Sequence, residues 1–412
     1  MSALPGKILE ILRIGHKGDG ETADGMFVPF TVPGDRIEVE GEGDQARAVE
    51  LVTPGPTRIK PACTHFAHCG GCALQHVELS AYHAWKRDQI ETALAQRGII
   101  DIKVSPVIPI APRSRRRAVF TARQVEGKVS IGFQERGSHF VVDMTECHVV
   151  HPDLFAMAAA LREPLASLLP EHTRAEVEMM RADNGIDMSI GVGRMTLDGP
   201  LRTRFAGLAA RLGIIRLSVN GELVAQSSPP ILTWAGVEVS PQPQAFLQAA
   251  AEAEVALQDL VTGAVGKARR VADLFSGCGA FTFALARKAA VSAFDSEADS
   301  IAALATAARN AQGLKPVTAE RRDLFRRPLL KHELDVFDAV VIDPPRAGAR
   351  AQCEQLATST VQRIAAVACN AATFARDARI LIDGGYQLAS VQPIDQFLWS
   401  PHIELIALFE RG

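Results

Sequence analysis

The pattern of hydrophobic and polar positions changes character along the chain. Within residues 1–55, "KILEILRI", "MFVPFTV", "DRIEVEGE" and "ARAVELV" are short β-type runs. They are separated by the glycine-rich turns "GHKGDGETADG", "VPGD" and "EGEGD". Strands at this spacing predict a small barrel, an architecture that serves as an oligonucleotide platform or as a structural cap. "PGPTRIKPACTHFAHCGGCALQH" (54–76) interrupts the pattern with proline, glycine and three cysteines. A helix is expected over 79–98, with Ser80 as N-cap and Gly98 as its stop. From about 104 to 240 the pattern is mixed and strand-rich, and 155–240 carries little periodic signal. A helix is expected near 246–262. Beyond it, "RRVADLF", "AVSAFD", "DAVVID", "RIAAVAC", "YQLASVQPID" and "IELIALF" alternate with helical segments. That alternation predicts an α/β fold with an open, mostly parallel, doubly wound sheet.

Composition narrows the function classes. A chain of 412 residues suggests two to three domains, and 47% hydrophobic with 22% charged residues is ordinary for a globular protein. No apolar run reaches about 18 residues, so no membrane span is expected. The first residues lack a long apolar signal-peptide core, which points to the cytosol. Seven cysteines in that setting suggest metal, cluster or catalysis rather than a disulfide framework. With a net charge of −3 there is no global basic field, so any nucleic-acid surface must be local.

The chemistry-bearing motifs lie mostly in the last third. "VADLFSGCGAFTFALA" (271–286) reads strand, Asp, glycine turn, helix, and Gly277 and Gly279 allow the backbone to approach a ligand at a helix N-terminus. The third glycine of the dinucleotide fingerprint is absent. Asp295 ends the next strand, where a carboxylate can accept both ribose hydroxyls, and Asp323 follows the third, where one can meet an adenine amine. This order fits S-adenosylmethionine (AdoMet) better than NAD. "DPPRAG" places Asp343 at the carboxyl edge of the fourth strand in a rigid turn. Arg346 stands where amino-methylating enzymes carry an aromatic residue, which argues against amine methylation. Cys369 ends the next strand on the same edge. A lone thiol there is more often a core residue, as Cys278 and Cys353 are read. Carbon 5 of uracil is a poor nucleophile, but a thiolate adding to carbon 6 makes it enolate-like. Such catalysis needs an activated thiol and a base for the carbon-5 proton. Glu404, with His402 beside it in "QFLWSPHIEL", could be that base. Cys63, Cys69 and Cys72, spaced C-x5-C-x2-C, with Cys147 as a distant fourth, suit tetrahedral zinc or an iron–sulfur cluster. His65, His68, His76, His148 and His151 could compete as ligands. The spacing is not the C-x3-C-x2-C of radical AdoMet enzymes.

Together these residues resemble the RNA uracil-5-methyltransferase family, specifically its iron–sulfur-containing 23S ribosomal RNA branch, over nearly the whole chain. "RIKPACTHFAHCGGCALQH" and "GFQERGSHFVVDMTECHVVHP" follow the family's cluster segments. "DLFSGCGAFTFALA", "DPPRAG", "ACNAATFARD" and "SPHIEL" follow its catalytic motifs in order. The resemblance implies an OB-type RNA-binding TRAM barrel (1–55), a central α+β iron–sulfur and RNA-binding domain (56–240) and a Rossmann-like AdoMet domain (241–412). It implies Cys369 as nucleophile and Glu404 as general base. Gln248, Phe275, Gly277, Gly279, Asp295, Asp323 and Asp343 would bind AdoMet, and Cys63, Cys69, Cys72 and Cys147 would hold a [4Fe–4S] cluster. The basic stretch "RSRRRAVFTAR" follows the family's RNA-facing strand, so Arg115, Arg116, Arg117 and Arg123, with Arg346, would meet RNA; a solvated charged edge is the bland alternative. The expected partner is 23S rRNA, with tRNA as the alternative, and the chain is expected to be a monomer. Ala280 and Ala250 replace usual asparagines, Asp295 a usual glutamate, and "CNA" the usual "CNP". These departures point to altered AdoMet contacts, and an RNA-binding protein with a degenerate AdoMet site is the alternative they suggest.

Overall fold

The computed structural model describes residues 7–40 and 47–412, so most of the expected "EGEGD" turn lies outside the described residues. The first sheet is antiparallel. Its strands are β1 (Lys7–Ile14), β2 (Gly20–Thr22), β3 (Phe27–Val28), β4 (Arg36–Glu40) and β5 (Arg47–Thr53), ordered β3-β2-β1-β4-β5. A register shift between Ile11 and Arg13 bends β1, which pairs with β2 on one side and β4 on the other. The curled sheet closes over Leu9, Ile11, Val28, Ile37 and Val39, giving the expected barrel-like unit.

The helix after the cysteine segment, α1 (Leu79–Ala95), differs in its caps from the expected one. Glu78, not Ser80, is the N-cap, because its carboxylate reaches the Ser80 backbone N–H, and the helix stops at Gln96 before Gly98 turns left-handed. Its buried side includes Tyr82, Trp85, Ile90 and Leu94, and also a lysine, Lys86.

A six-stranded central sheet follows: β6 (Arg117–Val125), β7 (Lys128–Gly132), β8 (Arg174–Ala182), β9 (Gly185–Gly191), β10 (Ile214–Val219) and β11 (Glu222–Gln226), ordered β11-β10-β9-β8-β6-β7. Helices α2 (Pro152–Ala160), α3 (Arg162–Leu168) and α4 (Gly199–Leu212) pack against it around Phe120, Leu154, Leu165, Val177 and Phe205. Asp198 caps α4 at its start and Gly213, at φ +67°, ends it and releases the chain into β10. A hairpin of β12 (Leu232–Trp234) and β13 (Val237–Val239) leads to the last unit.

There the elements are α5 (Ala251–Val265), β14 (Arg270–Leu274), α6 (Thr282–Ala286), β15 (Ala290–Asp295), α7 (Ala298–Asn310), β16 (Val317–Arg321), α8 (Lys331–Leu334), β17 (Ala339–Ile342), α9 (Arg350–Thr358), β18 (Arg363–Ala368), α10 (Ala371–Asp383), β19 (Tyr386–Ile394) and β20 (Glu404–Arg411). The strand order is β16-β15-β14-β17-β18-β20-β19, parallel from β16 to β18, with β20 inserted antiparallel beside β18. "AVVI" and "RIAAVA" are apolar throughout because both faces are covered. Leu274, Ile342 and Ile364 face a core that includes Leu356 of α9 and Phe374 of α10, whereas Val271, Val341 and Val367 face Leu257 and Val261 of α5. The order reverses between β14 and β17, which opens a crevice at the carboxyl edge. The helix expected near 246–262 begins at Ala251, so Gln248 lies in the extended segment before it. Helix α1 packs on α10, tying the cysteine segment to this unit. Among the described residues no helix is long and apolar enough to cross a membrane.

Candidate active site and cysteine cavity

The loop after β14 is bound to β15. Phe275, Gly277 and Gly279 have φ of +62°, +53° and +101°. At Gly279 a side chain is doubly excluded, because a Cβ would stand 2.7 Å from the Phe283 ring. Asp295 accepts from Gly277 N through Oδ2 and from Glu297 N through Oδ1, both at 2.9 Å. The predicted ribose acceptor therefore also braces the glycine loop. Asp323 accepts from the backbone N–H of Phe325 and Arg326, and the Phe325 ring packs on Phe275 at 5.3 Å. That contact brings the third-strand loop beside the glycine loop.

Asp273 is the residue of this crevice that the sequence reading did not single out as a site. It is fully buried, Thr282 donates to its Oδ2 at 2.6 Å, and burial pushes its carboxyl up to about 7. Its Oδ1 and the Ser276 hydroxyl are buried with no hydrogen-bond partner among the described residues. Unsatisfied acceptors of this kind are costly unless a ligand supplies donors. The residues present thus fit a ligand with amine and hydroxyl groups, as AdoMet has.

Across the switch point, Asp343 follows β17 and accepts from Gln248 Nε2 at 3.3 Å. Burial, reinforced by Asp273, raises its carboxyl to about 7. Cys369 follows β18, and the next residue, Asn370, caps α10 by accepting from Ala372 N and Thr373 N. Thr373 and Arg376 of α10 in turn hold the carbonyls of Arg346 and Ala347. The nucleophile candidate and the "DPPRAG" turn are therefore fixed to one helix. Cys369, Arg346 and His402 open on a cavity of about 890 Å3 whose far side is Arg13 and His16 near the end of β1 and Trp85 and Gln89 of α1. Contrary to the expected activated thiol, burial together with Glu404 and Asp343 pushes Cys369 up to about 11; Arg346 opposes this.

Glu404 opens β20 and is buried. Burial and the nearby Asp343 raise its carboxyl to about 8, against Gln396 and Lys86. The segment before it is fastened by Lys86, whose ammonium donates to Asp395 Oδ1 at 2.5 Å and to the carbonyls of Phe397 and His402 at 3.2 and 2.9 Å. Tyr82 donates to Asp395 at 2.9 Å. Lys86, Asp395 and Gln396 went unrecognised in the sequence. The available signal was a lysine at a buried helical position, since buried lysines are nearly always paired.

The four cysteines come together. Cys63, Cys69, Cys72 and Cys147 line one cavity of about 460 Å3, and burial raises the Cys72 thiol to about 12, with the other three adding to the rise. Among the described residues no three His, Cys, Asp or Glu side chains form a group that could hold a metal ion. The donor set itself, four thiols on one cavity, has the composition of a four-cysteine cluster site.

The arginines expected to meet RNA do not share one surface. Arg116 is buried, ion-paired with Glu254 at 2.7 Å and bonded to the Gln248 carbonyl, so it faces the interior rather than RNA. Arg115 lines the cysteine cavity and donates to the Arg117 carbonyl. Arg117 pairs with Glu178 at 2.7 Å. The alternation of the strand turns successive side chains to opposite faces, so consecutive arginines could not all meet one surface. Arg123 is exposed, as is Arg346. Ala250 is fully buried at the start of α5, and its backbone bridges to Arg115.

A glycine loop, a switch-point crevice and an acidic edge define an AdoMet-dependent methyltransferase. Residues 240–412 match the tRNA (Uracil-5-)-methyltransferase family. An uncharacterized RNA methyltransferase of Brucella suis biovar 1 is 44% identical over 408 residues, 98% of each chain. The 23S rRNA (uracil(1939)-C(5))-methyltransferase RlmD of Pectobacterium atrosepticum is 30% identical over 418 residues, 93% of this chain and 88% of that one. Pyrococcus abyssi tRNA (uracil-54, C5)-methyltransferase, solved with S-adenosyl-L-homocysteine, shares the fold at a TM-score of 0.74 and 23% identity, over 98% of this chain and 100% of that chain. The chain belongs to the RNA uracil-5-methyltransferase family.

Proposed function

We propose that this enzyme methylates carbon 5 of one specific uridine in 23S rRNA, with Cys369 as nucleophile and Glu404 as general base. The observation that carries this reading is the convergence of Cys369, Asp343 and Glu404 at one sheet edge, beside an open cavity. Thiol and base on the same edge suit chemistry at a pyrimidine carbon. Cys369 adds to carbon 6, carbon 5 takes the methyl group, and Glu404 removes the carbon-5 proton as the thiol leaves. Gln248, Phe275, Gly277, Gly279, Asp295, Asp323 and Asp343 are the residues that would hold AdoMet. When bound, AdoMet supplies an electrophilic methyl on a cationic sulfonium, a charge that favours ionised Asp343 and Cys369. The cavity between β1, α1 and Cys369 is wide enough for a base turned out of its stack, a displacement costing about a few kcal/mol.

The choice of 23S rRNA is supported by the RlmD relative and by the cysteine set. Nucleoside mapping of rRNA and tRNA from a strain lacking the gene is expected to show one 5-methyluridine missing from 23S rRNA, with tRNA unchanged. Loss of tRNA 5-methyluridine instead would overturn the assignment.

Cys63, Cys69, Cys72 and Cys147 are the residues that would hold a [4Fe–4S] cluster. Four thiolates would leave no open iron, so its chemistry there would be structural, bracing the segment that Ala73 and Leu74 tie to the Trp399 carbonyl at 2.9 and 3.1 Å. Protein purified without oxygen is expected to contain iron and acid-labile sulfide. Zinc without sulfide would contradict the cluster. The division into barrel (1–55), central (56–240) and catalytic (241–412) parts, with RNA met by the barrel, Arg123 and Arg346, belongs to the same reading, as do a cytoplasmic monomer and no membrane.

A further inference from the structure

Gln396 sits between the two carboxyls of the catalytic edge, and its amide has no freedom of orientation. Its Oε1 accepts from Ala249 N at 3.1 Å, and its Nε2 donates to Gln248 Oε1 at 2.8 Å and to Glu404 Oε2 at 2.6 Å. A backbone N–H can only donate, so the amide oxygen must face Ala249 and the nitrogen must face Glu404. Gln248, once its oxygen is taken by Gln396, must turn its own nitrogen to Asp343 Oδ2, as observed at 3.3 Å. Gln248, Gln396 and Glu404 are 4%, 5% and 3% exposed, so water offers these groups little replacement. Donors therefore run outward from Gln396 in two directions and end on two carboxyls.

The consequence falls mainly on Glu404. The titratable groups that bear on it are Asp343, which opposes its ionisation, and Lys86, which favours it while being shared with Asp395; Glu404 in turn holds the Cys369 thiol up. The Gln396 N–H is the neutral donor that stabilises the carboxylate and fixes which oxygen stays free. The structure assigns Gln396 as a positioning residue for the second half of the reaction, holding the Glu404 carboxyl as an oriented proton acceptor and linking it through Gln248 to Asp343. This rests on the reading of Glu404 as the general base. The step it serves balances simply. Glu404 takes the carbon-5 proton, the C–H electron pair becomes the carbon 5–carbon 6 double bond, and the carbon 6–sulfur pair returns to Cys369 as thiolate.

A residue that serves only this step has a signature that a structural residue lacks. Full-length protein is mixed in a single turnover with 23S rRNA from a strain lacking the gene and with methyl-labelled AdoMet. The RNA–protein adduct is followed on denaturing gels. For Gln396→Met, labelled adduct is expected to form within about threefold of the wild-type rate and to decay about 10- to 100-fold more slowly, so that methylated adduct accumulates. Gln396→Glu keeps the shape and the acceptor for Ala249 but turns a carboxyl toward Glu404. It is expected to move the pH at which decay is half-maximal upward by about one unit or more. Formation and decay falling together in both variants, with wild-type pH dependence, would make Gln396 structural and overturn the assignment. Wild-type decay in both would overturn it equally. A wild-type protein that forms no methyl-bearing adduct would overturn the reading of Cys369 and Glu404 first, and this inference with it.

Discussion

Cys369→Ala is expected to lower methyl transfer to RNA by about 10⁴-fold or more, because covalent addition is what gives carbon 5 its nucleophilic character. AdoMet affinity should change by less than about twofold, since Cys369 is not among the residues that would hold AdoMet. Cys369 is half-buried at a strand-to-helix turn whose cap, Asn370, is untouched by the change, so thermal unfolding should stay close to that of the wild type. Cys353→Ala, at a thiol on α9 buried in the core that includes Leu356 and Phe374, provides the contrast. It should cost some stability and leave methyl transfer intact. Equal loss in both variants, measured with labelled AdoMet and deficient 23S rRNA, would remove Cys369 from the chemistry.

Glu404→Gln is expected to lower turnover by about 10²- to 10⁴-fold, the range of a lost general base, with methylated adduct building up before the block. Glutamine keeps the size and an acceptor for Gln396, so packing is preserved. The pH dependence has a definite sign. Burial and Asp343 raise the Glu404 carboxyl to about 8, so below that pH most of it carries the proton and cannot accept another. The release rate of the wild type should therefore climb as pH rises and level off above about 8. By this stage the methyl group has left the sulfonium, so the cationic charge that would have lowered the value is gone. In Glu404→Gln the rising limb should vanish. A wild-type release rate that is flat from pH 6 to 9 would dissociate Glu404 from the step.

The carboxyl edge of the last sheet was the most legible part of the sequence. Buried parallel strands are written as unbroken apolar runs, and "AVVI" and "RIAAVA" are followed at once by Asp343 and Cys369, so strand ends and chemistry could be read together. The glycine loop was equally clear, because Gly277 and Gly279 occupy positive-φ positions. The central unit was less so. Its sheet mixes one parallel pair, β9 with β10, into antiparallel neighbours, and the long separation from β7 to β8 hides which strands pair. The arginines of "RSRRR" misled because charge alone does not say which face a strand position takes, and Glu254, the partner that draws Arg116 inward, lies 138 residues away in sequence. The positioning of Glu404 was illegible for a similar reason. Lys86 and Asp395 are separated by 309 residues, and a single glutamine such as Gln396 has no pattern of its own. The Lys86 contacts exist only once α1 has packed against the segment between β19 and β20.

The most direct test of covalent uracil-5 chemistry uses 23S rRNA fragments carrying 5-fluorouridine at the candidate positions, incubated with wild-type protein and AdoMet and analysed by peptide mass mapping. Fluorine cannot leave as the proton does, so release is blocked after methyl transfer. The predicted result is one methylated nucleotide adduct on the peptide containing Cys369, absent from Cys369→Ser. An adduct on another cysteine, or none with any 23S fragment while unsubstituted rRNA is still methylated, would contradict the mechanism.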